Sequence, residues 1–214
     1  MTATNPSLST PWRLGVFAIL AIVMVATRAN LIHLGTHIGS LPDASWAVFF
    51  IAGFYLRGSV RWAFPALMAL AVGVDYAVIS GQGLSFWSHY CVSPAYWFLV
   101  PSYAALWFGG AWLRQRYDGL HARELGLLLV SAVAAASVCY LVSNGSYYWL
   151  SNHWQAAAGV TASFGGWMKN LGDWYLPFIG LTLVYVAIAA VLHVLATRAL
   201  GAMAGHGTAG EQRR

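Results

Sequence analysis

The sequence predicts an all-α integral membrane protein, a single domain of six transmembrane helices, and three observations carry that prediction. Of 214 residues, 59% are hydrophobic and only 8% charged, against about 25% charged in an ordinary soluble domain. The apolar residues fall in long blocks, most of them close to the roughly 20 residues of helix that cross a hydrocarbon core. Outside those blocks the arginines keep to alternate connections, as in a chain that crosses back and forth.

Helix one is expected over residues 12–32. Arg13 followed by an apolar run imitates a secretion signal, but the run continues past Arg28 with no small-x-small cleavage site, so it reads as a retained helix. Helix two, 44–56, is the shortest block, and helix three covers 60–80. Ala69, Gly73 and Ala77, four apart on helix three, suit close helix contact in lipid, as do Ala132 and Ala136 on helix five. Helix four spans 94–113 and opens on Ser93-Pro94, an N-cap residue and a first-turn proline. Helix five, 125–150, carries Ser137, Tyr140, Asn144, Tyr147 and Ser151, whose spacing places them on one face. That face is expected to wall a cavity rather than only to join helices. Helix six covers 174–200; the segment 152–172, too polar and glycine-rich to span, reads as an interfacial lid, and 201–214 as a disordered cytoplasmic tail.

Arg57 and Arg61 lie in the second connection and Arg114, Arg116 and Arg123 in the fourth, while Arg13 precedes helix one and Arg198, Arg213 and Arg214 close the chain. By the positive-inside rule these loops and both termini are cytoplasmic. The other three connections contain no arginine and a single Lys169. There His33, His37, His89, Cys91 and His153 collect, among Trp87, Tyr90, Trp154, Trp167 and Trp174. Most of these aromatic residues suit an interfacial belt. The net charge of +5 is not a nucleic-acid footprint, since the basic residues are scattered and no aromatic groove interleaves them. Two cysteines without a CxxC spacing exclude a disulfide framework and a zinc finger.

Chemistry is carried by few residues. Arg28 and Asp75 lie within spans near their outer ends, where a charge needs a protein partner. They are expected to reach each other, either as a bridge pinning helix one to helix three or as holders of a polar ligand. Cys91 sits beside the start of helix four and near His89, two neighbours that favour the thiolate. Cys139, inside helix five, reads as packing; His121 and His193 belong to the cytoplasmic half and cannot join an outer site.

The small six-helix pattern, the aromatic outer pocket and the run His89-Tyr90-Cys91-Val92-Ser93-Pro94-Ala95-Tyr96 resemble the BtuM family. Its members are small bacterial cobalamin transporters related to S-components of energy-coupling-factor (ECF) transporters. The resemblance runs over residues 12–200 and implies cobalamin (vitamin B12) binding and uptake across the bacterial cytoplasmic membrane. It implies further that Cys91 ligates cobalt with the nucleotide base displaced and supports decyanation of cyanocobalamin, a thiol chemistry added to transport. Tyr90 and Tyr96 would flank the ligand, and Arg28, Asp75, Asn144 and Tyr147 would hydrogen-bond the corrin amides. An ATP-driven coupling module is the implied partner, yet Ala18, Ala21, Ala26 and Ala29 lack the four-residue spacing such docking uses in the relatives. The chain has no P-loop, so ATP hydrolysis would belong to another protein. Two rivals stand beside this reading: an S-component for another vitamin, and a redox or cytochrome subunit using His33, His37 and His89.

Overall fold

A computed structural model of the chain describes residues 9–31, 41–89, 92–151 and 161–211. The described residues form helices α1 (Thr10–Arg28), α2 (Ser45–Leu56), α3 (Val60–Gly81), α4 (Leu99–Arg116), α5 (Ala122–Leu150) and α6 (Phe164–Glu211), with no strand among them. A 3-10 turn, Pro94–Phe98, leads into α4.

Helix α1 stops at Arg28, short of the expected residue 32, for a local reason. Asn30 adopts the left-handed conformation with φ 54°. The Leu31 N–H then reaches the Ala26 carbonyl at 3.0 Å and the Asn30 N–H the Thr27 carbonyl at 3.2 Å, a Schellman closure. Gly83, with φ 75°, ends α3 the same way: Leu84 donates to Ile79 and Gly83 to Ser80. Arg28 is thereby held in the last turn of α1, where the helix dipole favours a cation.

Helix α2 is apolar on every side, and such a helix belongs inside a fold. Ala47, Val48, Phe49, Phe50, Ala52 and Leu56 are all buried. It packs on α4 backbone to backbone, because Gly53 lies against the Trp107 carbonyl and Gly110 against the Phe50 carbonyl. Glycines at a crossing permit this approach. Twelve residues of helix extend about 18 Å, less than the roughly 30 Å of a hydrocarbon core.

Neighbouring helices alternate in direction. The Phe49 and Phe64 rings are 5.5 Å apart, whereas fifteen residues of straight helix would separate them by about 22 Å. The chain therefore folds back at Arg57–Ser59. Arg28, Asp43, Asp75, Tyr96 and Tyr147 gather at one end, from the close of α1, α3 and α5 and the approaches to α2 and α4. At the other end the Arg13 Nη1 donates to Ser59 Oγ at 3.3 Å. There too the His193 ring bridges Tyr55 (Nδ1 to hydroxyl, 2.6 Å) and Tyr117 (Nε2 to hydroxyl, 2.8 Å), tying α2, the chain after α4, and α6. A neutral imidazole donates through one nitrogen and accepts through the other, so a single ring serves both hydroxyls. His193→Phe keeps an aromatic ring and removes both bonds. It should cost about 1 to 3 kcal/mol, read as a lowered midpoint in denaturant titration of the purified chain.

Among the described residues, four stretches are long and apolar enough to cross a membrane: Thr10–Arg28, Ser45–Gly81, Ala122–Leu150 and Phe164–Ala199. The second is the pair α2 and α3, which reverses in its middle. Val184, Ile188, Val191, Leu192 and Leu195 stand exposed along α6, and Leu125, Leu129, Val138 and Leu141 along α5. Apolar surface on that scale asks for lipid. Helix α4 is absent from the four because its 18 residues end in Arg114, Gln115 and Arg116, which lower the hydropathy of the whole span.

Three expectations change. Residues 164–172, assigned to a lid, are the first turns of α6, while 152–160 lie outside the described residues. Helix α6 also runs to Glu211, through most of the segment whose composition suggests a disordered tail. Extending an existing helix needs no new nucleus, and the alanines there favour it. Of the small-residue sets, Ala132 and Ala136 are fully buried, but Ala69, Gly73 and Ala77 face outward.

Candidate functional site

At the arginine-poor end a cavity of about 520 Å³ opens among the ends of α1, α3 and α5 and the segments preceding α2 and α4. Its polar framework centres on Arg28, whose side chain is 12% exposed. The guanidinium meets Asp75 as a bidentate fork, Nε to Oδ1 at 2.6 Å and Nη2 to Oδ2 at 2.7 Å. Its Nη1 faces Asp43 Oδ2 at 2.8 Å, with Ser45 Oγ and the Tyr103 hydroxyl each at 3.2 Å. The expected pairing of Arg28 with Asp75 is present, and Asp43 joins it.

The carboxylates collect donors of their own. The Tyr96 hydroxyl donates to Asp75 Oδ2 at 2.7 Å. Ser45 donates to Asp43 Oδ1 through both its N–H, at 2.9 Å, and its hydroxyl, at 2.6 Å. One guanidinium against two carboxylates leaves the group one negative charge in excess. A cavity of that character, rich in acceptors, suits hydrogen-bond donors on a ligand, amide N–H groups among them. Beneath it Tyr103 stacks on Phe49 with ring centroids 4.4 Å apart, and Trp107 meets Phe64 edge to face at 5.6 Å. Of these rings only Tyr103 touches the polar framework, through its hydroxyl on Arg28.

Arg28, Asp75, Tyr96 and Tyr147 are thus brought to one cavity, together with His89 and Ser143. Asn144 is not among the lining residues. Its amide donates to Asn170 Oδ1 at 2.7 Å, Tyr140 donates to the Leu171 carbonyl at 3.0 Å, and Ser137 meets the Tyr175 hydroxyl at 2.8 Å. Most of the α5 stripe therefore joins α5 to α6, and only its edge, at Tyr147 and the adjacent Ser143, turns to the cavity. In an apolar surround, polar side chains facing a neighbouring helix find partners there first.

Tyr90 and Cys91 lie outside the described residues, as do His33, His37, His153 and Trp154. His89, just before them in sequence, lines the cavity. Just after them, Ser93 has the extended conformation of an N-cap and Pro94 begins the turn, as the sequence suggests, although the Ser93 Oγ is buried without a hydrogen-bond partner. Cys139 is fully buried in the core. Among the described residues no three His, Cys, Asp or Glu side chains converge to hold a metal ion. A cobalt already held in a corrin ring needs only an axial donor from the protein.

Asp43, Ser45 and Tyr103 were not singled out from the sequence. Asp43-Ala-Ser45 ahead of an apolar helix is a helix-start pattern that could have drawn attention to Asp43. Tyr103 carries no such signal. No protein-family model matches the sequence, and no curated protein matches it.

Proposed function

We propose that the chain is a six-span protein of the bacterial cytoplasmic membrane, with both termini cytoplasmic, that binds cobalamin at its outer end and takes it inward. The observation that carries this reading is the cavity shared by Arg28, Asp75, Tyr96, Tyr147 and His89, at the end that lacks unpaired arginine. Its excess of carboxylate acceptors is complementary to the amide N–H groups around a corrin. Cys91, two residues beyond His89, would supply the axial thiolate. In decyanation the Co–N bond to the nucleotide base would break as the Co–S bond forms, and the Co–C bond would then break, with cyanide leaving on its own electron pair and water taking its place. Cobalt keeps its oxidation state in that exchange. An ATP-driven coupling module would be a separate protein.

Chain purified from cells fed cyanocobalamin should carry colour, with the absorption of thiolate-ligated cobalamin and cyanide released in step. Cys91→Ala should lose that spectrum and release no cyanide. An unchanged spectrum together with unchanged cyanide release would refute the thiolate mechanism.

The cavity volume favours a second reading. About 520 Å³ falls within the usual range for small ligands, roughly 300 to 1,000 Å³, and a corrinoid would enter only in part. A smaller vitamin with an amide or cationic edge would occupy it whole, with Cys91 inert. Mass spectrometry of the ligand extracted from purified protein separates the two.

A further inference from the structure

A second cavity, of about 430 Å³, opens at the arginine-rich end between α2, the start of α5 and α6. Its walls are largely apolar, with Phe50, Ile51, Leu125, Leu128 and Val186 prominent. It shares no lining residue with the outer cavity. One anionic group lines it, Glu124, in the first turn of α5. Glu124 is 6% exposed, and its Oε2 is buried with no hydrogen-bond partner. Among the described residues it forms no ion pair.

The other charged and titratable groups nearby are engaged or solvated. His193 holds two tyrosine hydroxyls. Arg114 lies over the Phe54 and Tyr117 rings at 5.3 and 5.7 Å. Arg198 and His121 stand exposed at the rim. A buried carboxylate oxygen without a partner is costly, so its presence calls for an explanation. The N-terminal end of α5 supports its negative charge. An apolar chamber with one unpartnered acceptor inside it has the form of a binding site for a molecule with an apolar body and a donating head.

We infer that this cavity is a second ligand site, taking an amphiphile whose ammonium head donates to Glu124 while its hydrocarbon part fills the space beside Leu128 and Val186. The site is separate from the outer cavity, and its test involves no corrinoid, so the two readings fail independently. A free alkylamine and the headgroup of an ethanolamine lipid present the same chemistry.

The full chain, in choline-lipid nanodiscs, would be titrated with octylamine, octanol and octanoate, following the thermal midpoint. Octylamine should raise the midpoint saturably, octanol more weakly, and octanoate not at all. Glu124→Gln should weaken the octylamine response about 10- to 100-fold, the loss expected of a charge-assisted hydrogen bond, and leave the octanol response in place. Leu128→Trp, which fills the chamber, should abolish both. A weaker octylamine response in ethanolamine-lipid nanodiscs would identify a lipid headgroup as the competing natural occupant; an equal response would identify a free amine. Equal responses to all three compounds, or full octylamine binding by Glu124→Gln, would overturn the assignment. Should Glu124→Gln not fold, undiminished octylamine binding by Leu128→Trp would overturn it instead.

Discussion

Gly53→Ala and Gly110→Ala should each destabilise the purified chain by roughly 3 kcal/mol, the upper end of what overpacking costs. The added methyl at Gly53 would overlap the Trp107 carbonyl, and the one at Gly110 the Phe50 carbonyl, with the Phe54 nitrogen at 2.9 Å as well. These obstacles are backbone atoms, so no side chain can swing aside. The two helices must move apart, and α2, most of whose residues are buried, cannot move without disturbing its other neighbours. Because both glycines serve one crossing, the double variant should lose less than the sum of the two. Gly73→Ala is the matched control: nothing lies within 4 Å of its added methyl, and replacing a mid-helix glycine should add about 0.5 to 1 kcal/mol. Denaturant titration in detergent, with the elution profile on a sizing column as a check of folding, reads all four variants. A Gly53→Ala midpoint equal to that of Gly73→Ala would contradict the crossing.

Arg28→Met should cost about 3 to 5 kcal/mol, because it leaves two partly buried carboxylates facing each other without a cation. Asp75 and Asp43 are 19% and 27% exposed, so water relieves some of that repulsion and the lower figure is the better expectation. Asp75→Asn should cost less, about 1 to 3 kcal/mol, since Arg28 still holds Asp43 and the amide oxygen still accepts from Tyr96. Combining Arg28→Met with Asp75→Asn should recover part of the first loss by removing one of the stranded charges. The same titration measures the three variants; a double variant that is worse than Arg28→Met alone would mean that Arg28 and Asp75 do not act as a pair. Ligand retention provides a second readout, because Asp75→Asn also removes one acceptor from the outer cavity.

Much of the fold was legible because it rests on local properties. The boundaries of α2 and α3 follow where the apolar blocks begin and end, and Ser93-Pro94 marks the entry to α4. The misjudged end of α1 was also local in cause: Asn30 can adopt the left-handed conformation, but nothing in composition says that it does. The start of α6 was missed for the opposite reason. Glycines and polar residues at 164–172 weaken any hydropathy signal, yet Tyr148 and Tyr140 on α5 hold that turn through the Ser163 and Leu171 carbonyls.

The candidate site divides in the same way. Arg28 and Asp75 could be paired from sequence, because each is a charge at a comparable depth in an apolar helix. Asp43 could not be added to them, since an aspartate in a connection looks solvated until the fold brings it within 2.8 Å of Arg28. The α5 stripe shows the limit of periodicity. Spacing placed Ser137, Tyr140, Asn144 and Tyr147 on one face, but could not say that α6 would cover most of it and leave Tyr147 to the cavity.

By itself, then, the sequence determined the membrane-suited helices and the asymmetry of charge between the two ends, both of which depend on the transfer of each segment between water and hydrocarbon. Tertiary structure alone decided that the shortest apolar block is the centre of the core, which carboxylates share Arg28, and that the Glu124 Oε2 is enclosed without a partner among the described residues. These depend on which backbones can approach closely, and that is settled by glycines meeting carbonyls across a helix crossing rather than by any property of one segment.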